Sequence, residues 1–187
     1  MLIGAVLELV MFAIPSAVYV SRLRRRGRAA TEARTEVGWQ VGRITSYWWA
    51  VAVVAVCLPL TYGALWLVPL DKITRSANVS VGKATTVDGY LAIVVLAVAE
   101  EIFFRGFIAG LFIRKYGFAV GNLLQALVFL APHLLLLLVS VSLWPILPVQ
   151  FIAGWLLGVL RDRSASIGPS SVAHVATNLL APLLLAI

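Results

Sequence analysis

The chain has 187 residues, of which 61% are hydrophobic and only 12% are charged, and its mean hydropathy is +0.99. Soluble domains contain about 45–50% apolar residues, so this composition excludes a soluble globular protein and indicates an integral membrane protein. The net charge of +7 does not indicate a nucleic-acid partner, because the basic residues occur in short blocks beside hydrophobic runs. The partner that the composition predicts is the lipid bilayer.

Residues 1–89 predict two transmembrane helices with a basic cytoplasmic loop and an external loop. Residues 1–20 are apolar apart from Glu8, and a basic block at residues 22–28 follows them. A secretory signal carries its positive charge before the apolar stretch, so residues 1–20 are predicted to be an uncleaved span with its N-terminus outside. Residues 27–46 predict the cytoplasmic loop with an interfacial helix, residues 47–68 the second span, and residues 70–89 the external loop.

Residues 90–187 predict four further spans, at residues 90–113, 118–139, 146–160 and 167–187. In this arrangement 11 of the 15 Lys and Arg residues lie on the cytoplasmic side and three on the outside, which leaves only Arg105 inside the membrane. Cytoplasmic loops carry the excess of Lys and Arg, so the count favours both termini outside. The predicted fold is an all-α, polytopic membrane helix bundle of about six transmembrane helices, N-out and C-out.

Three ionisable side chains, Glu100, Glu101 and Arg105, interrupt the apolar span at residues 90–113. A single charge at the centre of a membrane helix costs about 2.5–3.5 kcal/mol, so such residues are expected to face the bundle interior and to be functional. Glu101 and Arg105 are i,i+4 neighbours on one helix face and predict an ion pair, whereas Glu100 points about 100° away from them. Glu100 is therefore predicted to be free for chemistry.

Three more polar residues lie inside predicted spans: His133, His174 and Asn178. The chain has no other histidine, and His174 and Asn178 are i,i+4 neighbours that share a face of the last helix. Counting the helix rise from the predicted ends places these residues at depths similar to that of Glu100. The sequence therefore predicts one shared intramembrane site.

The order and spacing of these residues resemble the three motifs of the CPBP family, the CAAX proteases and bacteriocin-processing enzymes, also called the Abi family. The matching stretches are Glu100-Glu101-x-x-x-Arg105, Phe129-x-x-x-His133 and His174-x-x-x-Asn178. The resemblance extends roughly over residues 90–183, and it implies that residues 90–187 form the catalytic core of a glutamate-type intramembrane endopeptidase. It also implies a multi-pass protein, and the small size of the chain favours a prokaryotic plasma membrane.

The same resemblance implies a role for each site residue. Glu100 and His133 activate a water molecule, His174 and the amide of Asn178 stabilise the oxyanion, and the pair of Glu101 and Arg105 holds the site together. No metal and no cofactor are implied. The expected partner is a membrane-associated peptide or protein: a prenylated tail, a leader or signalling peptide, or a C-terminal sorting signal. The sequence does not choose among these, and it sets no oligomeric state.

Three other functions are compatible with parts of this pattern. Two Glu and two His could bind zinc, but there is no H-E-x-x-H helix and the guanidinium of Arg105 would repel a cation. A proton-coupled transporter could use Glu and His as a relay, but the first half of the chain does not repeat the motif helices. A non-catalytic membrane scaffold or bacteriocin-immunity protein could retain the fold without the activity.

Overall fold

The computed structural model describes residues 1–69, 86–181 and 183, and within these residues it contains helices and no strand. The external loop predicted at residues 70–89 and the end of the predicted last span lie largely outside the described residues. In chain order the elements are α1 (Leu2–Arg25), α2 (Ala30–Glu36), α3 (Ile44–Trp66), α4 (Val87–Glu100), a π-helical segment (Glu101–Ile108), α5 (Ala109–His133), α6 (Leu136–Val139), a 3-10 turn (Val141–Leu143), α7 (Ile146–Ser164) and α8 (Gly168–Leu180).

Four helical stretches of the described residues are long and apolar enough to cross a membrane, which confirms the predicted class of protein. They are Leu2–Arg25, Ile44–Trp66, Val87–Val139 and Val141–Ser164. The short helix α2 follows the basic block, where an interfacial helix was predicted. The number of six spans and the N-out, C-out orientation stay predictions.

The longest of these stretches is a helical hairpin that folds back at Gly117. Gly117 has φ 75° and ψ 170°, a backbone conformation that glycine adopts far more readily than other residues. Arg105 and Phe129 each lie twelve residues from this bend, and a continuous helix would separate them by about 36 Å. Instead, Arg105 Cζ lies 4.1 Å from the ring centroid of Phe129. The two arms correspond to the elements predicted at residues 90–113 and 118–139.

Helix α1 runs parallel to the first arm of the hairpin and packs along it. Phe12 stacks on Phe103 with ring centroids 4.9 Å apart, and Ser16 Oγ donates a hydrogen bond to the carbonyl of Ile102 at 3.2 Å. Nearer the bend, the rings of Tyr19 and Phe107 lie 6.4 Å apart. Helix α1 is thus packed against the arm that carries the acidic motif.

Helices α3, α7 and α8 form the other side of the bundle. Their shared core consists of small and branched apolar side chains, namely Ala50, Leu157, Leu160 and Ala173. Helix α7 also packs against the returning arm of the hairpin through Gly154 and Gly158. These two glycines let the helices approach closely, as the small-residue pairs of membrane helices do.

At the end of the bundle near Gly117, Glu36 contacts basic residues from several segments of the chain. Glu36 forms ion pairs with Arg114 at 3.0 Å and with Arg28 at 3.7 Å. Its backbone carbonyl accepts hydrogen bonds from Arg114 at 3.0 Å and from Arg161 at 3.2 Å. The basic segments that follow α1, precede the bend and end α7 therefore lie on the same side of the molecule.

Candidate active site

The acidic motif lies where α4 passes into the π-helical segment, at the centre of the bundle. The side chains of Glu101 and Arg105 are completely buried, and their charged groups lie 2.9 Å apart as an i,i+4 ion pair. The side chain of Glu100 keeps 25% of its exposure. The two neighbouring glutamates therefore differ, because Glu101 is held in a buried ion pair and Glu100 is partly exposed.

Helix α8 brings His174 into contact with both glutamates. His174 Nδ1 lies 2.9 Å from Glu101 Oε1, the same oxygen that contacts Arg105. His174 Nε2 lies 3.7 Å from Glu100 Oε2. Because a carboxylate only accepts hydrogen bonds, Nδ1 carries a proton and donates it to Glu101. Glu101 thus fixes the orientation of the ring and directs Nε2 towards Glu100.

Helix α8, which carries His174, is supported near its start by hydrogen bonds with residues 38–40, between α2 and α3. The backbone N–H of Ile167 donates to the carbonyl of Gly38 at 3.0 Å, and Ser166 Oγ donates to the carbonyl of Gln40 at 2.5 Å. Gln40 Nε2 in turn donates to the carbonyl of Ala165 at 2.8 Å. The connection between α2 and α3 therefore holds the helix that carries His174.

His133, at the end of the returning arm, lies beside the Phe129 ring that Arg105 and His174 also approach. The ring of Phe129 is 4.9 Å from that of His133 and 6.0 Å from that of His174. His133 Nδ1 lies 2.9 Å from the carbonyl of Phe129. Since a carbonyl can only accept, Nδ1 carries the proton and a neutral His133 has an unprotonated Nε2. This nitrogen can take a proton from a neighbouring group.

Asn178 is the one predicted site residue for which the described residues show neither a side-chain hydrogen bond nor an ion pair. Its side chain is exposed and lies one turn beyond His174 on the same face of α8. The structure thus brings Glu100, Glu101, Arg105 and His174 together, places His133 beside the Phe129 ring next to them, and leaves Asn178 at the rim.

The π-helical segment is a feature that the sequence reasoning missed. Eight residues, Glu101–Ile108, have hydrogen bonds from residue i to i+5. Such segments are rare and occur frequently at functional sites. The spacing of apolar residues contains no signal that separates a π-helix from an α-helix over eight residues, so the sequence predicts an α-helix with 100° per residue throughout this span.

Two further polar residues of the site region, Asn122 and Gln125, were also missed. Both side chains are fully buried at the interface of α5 and α7. The available signal was the presence of two amide side chains, one turn apart, in a predicted transmembrane helix.

The described residues contain no group of three or more His, Cys, Asp or Glu side chains arranged to hold a metal ion. The charges of the site also disfavour a metal ion, because the Glu101 carboxylate is already paired with the guanidinium of Arg105. A cation bound here would have to compete with this guanidinium for the same carboxylate.

Comparison with known proteins gives one match. The family model described as type II CAAX prenyl endopeptidase Rce1-like matches residues 83–180, just over half of the chain. No curated protein and no solved structure matches the chain. The match spans all six predicted site residues and confirms the resemblance to the CAAX proteases. The protein is thus a membrane protein of a protease family. The chain belongs to the type II CAAX prenyl endopeptidase Rce1-like family.

Proposed function

We propose that this protein is an intramembrane endopeptidase that hydrolyses a peptide bond of a membrane-associated substrate with a water molecule activated by Glu100 and His133. The observation that carries this proposal is the different environment of the two glutamates. Glu101 Oε1 is occupied by Arg105 and His174, each at 2.9 Å, whereas Glu100 is partly exposed and forms one ion-pair contact within the described part of the chain, with His174 Nε2 at 3.7 Å. Glu100 is thus the carboxylate that can contact a water molecule and a substrate.

In the proposed reaction, Glu100 removes a proton from the water as it attacks the substrate carbonyl. His133 can assist, because its Nδ1 is committed to the carbonyl of Phe129 and its Nε2 is free to accept a proton. The proton is then available for the nitrogen of the departing peptide segment. Neither step needs a serine or cysteine nucleophile.

The negative charge that develops on the substrate oxygen requires hydrogen-bond donors, and His174 and Asn178 are proposed for this role. His174 donates through Nε2 only when both of its ring nitrogens carry protons. Both ring nitrogens lie beside a carboxylate, since Glu101 contacts Nδ1 and Glu100 faces Nε2. The exposed amide of Asn178 lies on the same helix face, where it can reach a bound substrate.

The family and the position of the site both support a substrate that is held at the membrane. The matching family is described as CAAX prenyl endopeptidases, so a prenylated C-terminal tail is the first substrate to test, followed by leader or signalling peptides and C-terminal sorting signals. All three are held at a membrane surface, as a site enclosed by membrane-spanning helices requires.

Purified protein in detergent, incubated with peptides tethered by a prenyl group, an acyl chain or an apolar segment, tests the proposal. Products are identified by mass spectrometry, with and without a chelator, for the natural protein and for Glu100→Gln. The proposal predicts cleavage that persists with the chelator and disappears in Glu100→Gln. Cleavage that the chelator stops and zinc restores would identify a metalloprotease. A Glu100→Gln protein that keeps its cellular role, with no cleavage by either form, would identify a non-catalytic scaffold.

A further inference from the structure

Two buried amides connect the returning arm of the hairpin to α7, and the proposed reaction does not use either of them. Asn122 and Gln125 have no solvent exposure. Gln125 Nε2 donates to Asn122 Oδ1 at 3.0 Å and to the carbonyl of Gly154 at 2.8 Å, while Asn122 Nδ2 donates to the carbonyl of Trp155 at 3.1 Å. Each amide thus bonds to the backbone of α7.

The carbonyl of Gly154 connects these amides to the active site. It also accepts a hydrogen bond from Arg105 Nη2, at 3.4 Å. Through its other nitrogen, Arg105 Nη1, the same guanidinium lies 2.9 Å from Glu101, which in turn holds His174. A continuous series of polar contacts therefore runs from Gln125 through Gly154, Arg105 and Glu101 to His174.

The donors and acceptors in this series fix the orientation of the Gln125 amide. Its NH₂ group faces two oxygens, Asn122 Oδ1 and the carbonyl of Gly154, and both can only accept. If the amide were rotated by 180°, the carbonyl oxygen of Gln125 would face these two oxygens, and no hydrogen bond could form. The position therefore requires a donor, which an aliphatic or thioether side chain of the same size cannot supply.

Close helix packing makes the position of the Gly154 carbonyl sensitive to Gln125. A Cβ at Gly154 would lie 3.0 Å from Phe129 Cδ1, so α7 already contacts the ring that supports the guanidinium of Arg105. The bond from Gln125 is shorter than the bond from Arg105, at 2.8 Å against 3.4 Å. Gln125 thus holds the carbonyl more tightly than Arg105 does.

We propose that Gln125 is a positioning residue for Arg105: by holding the carbonyl of Gly154, it keeps the guanidinium aligned with Glu101 and thereby sets the orientation of His174. The effect of Gln125 on cleavage rests on the proposed function, whereas its effect on Arg105 can be measured without any activity.

A kinetic experiment compares Gln125→Met, which has nearly the same size but no donor, with a matched control. Ser16→Ala is the control, because Ser16 is also fully buried and donates one hydrogen bond from α1 to the π-helical segment. We expect kcat to fall about fivefold to tenfold in Gln125→Met, the effect of one buried hydrogen bond, with KM within about twofold. Ser16→Ala should keep kcat within about twofold. Equal losses in both variants would overturn the proposal.

Nitrogen NMR of the arginine guanidinium groups decides the same point without catalysis. The Arg105 signal is assigned by its loss in Arg105→Lys and is then followed in Gln125→Met, in the smaller variant Gln125→Asn and in Ser16→Ala. We expect both Gln125 variants to shift the Arg105 signal and Ser16→Ala to leave it in place. An unchanged Arg105 signal in the folded Gln125 variants would refute the positioning role. An absence of cleavage by the natural protein would refute the proposed function alone.

Discussion

Replacing Gly158 by alanine tests how closely α7 is packed against the buried amides. A Cβ at this position would lie 1.8 Å from Asn122 Oδ1 and 2.6 Å from Gln125 Nε2, far inside ordinary contact distances. Neither amide can move into solvent, since both are fully buried. Gly158→Ala must therefore displace the amides or separate the two helices.

The magnitude follows from the contacts that would be lost. Displacement breaks the bonds of Gln125 to the carbonyl of Gly154 and of Asn122 to the carbonyl of Trp155. A buried polar group left without a partner costs about 1–3 kcal/mol, and overpacking costs a similar amount. Alanine has a higher helix propensity than glycine, which offsets about 1 kcal/mol of this cost. We expect Gly158→Ala to lower the free energy of unfolding by about 1–5 kcal/mol.

The assay is unfolding from mixed micelles with increasing SDS, followed by circular dichroism. Gly63→Ala is the matched control, because Gly63 lies within α3 and a Cβ there would have no atom within 4 Å. This control should be more stable than the natural protein by about 0.5–1 kcal/mol. If Gly158→Ala and Gly63→Ala changed stability alike, the close approach of α5 and α7 would be refuted.

Three further predictions address the ion pair, the rim of the site and the bend. Arg105→Leu leaves the Glu101 carboxylate buried without its partner and should lower the free energy of unfolding by about 3–5 kcal/mol in the SDS assay. The double variant Arg105→Leu with Glu101→Gln should regain part of this stability. A double variant whose loss equals the sum of the two single losses would contradict the prediction. Asn178→Ala should lower kcat about 100-fold. Its melting temperature should stay unchanged, since Asn178 is exposed. An unchanged kcat would show that Asn178 does not stabilise the oxyanion. Gly117→Ala should lower the melting temperature, because the combination of φ 75° and ψ 170° costs an L-residue about 1–3 kcal/mol. Gly4→Ala, with no atom near its Cβ, is the control that should not lower it.

Local spacing predicted the contacts that lie within one helix. The i,i+4 spacing of Glu101 and Arg105 specifies their ion pair, because neighbours on one helix face meet whatever the rest of the fold does. The run of apolar residues and the positions of the basic blocks likewise predicted an all-helical membrane protein and most helix boundaries to within a few residues.

Contacts between helices could not be predicted in the same way. The hydrogen bond between His174 and Glu101 joins residues 73 positions apart, and its existence depends on how α8 packs against α4. The sequence reasoning assigned His174 to the oxyanion and treated Glu101 as the partner of Arg105 alone. The shared oxygen of Glu101 was missed because helix periodicity specifies which residues share a face and not which face another helix will contact.

The most direct test of the account is a parallel comparison of Glu100→Gln and Glu101→Gln for cleavage and for melting temperature. The account predicts that Glu100→Gln abolishes cleavage of the tethered peptide and keeps the melting temperature of the natural protein, because its side chain is partly exposed. Glu101→Gln should melt at a lower temperature, because it leaves the buried guanidinium of Arg105 without its counter-charge. Cleavage that survives Glu100→Gln would contradict the central claim that Glu100 activates the water.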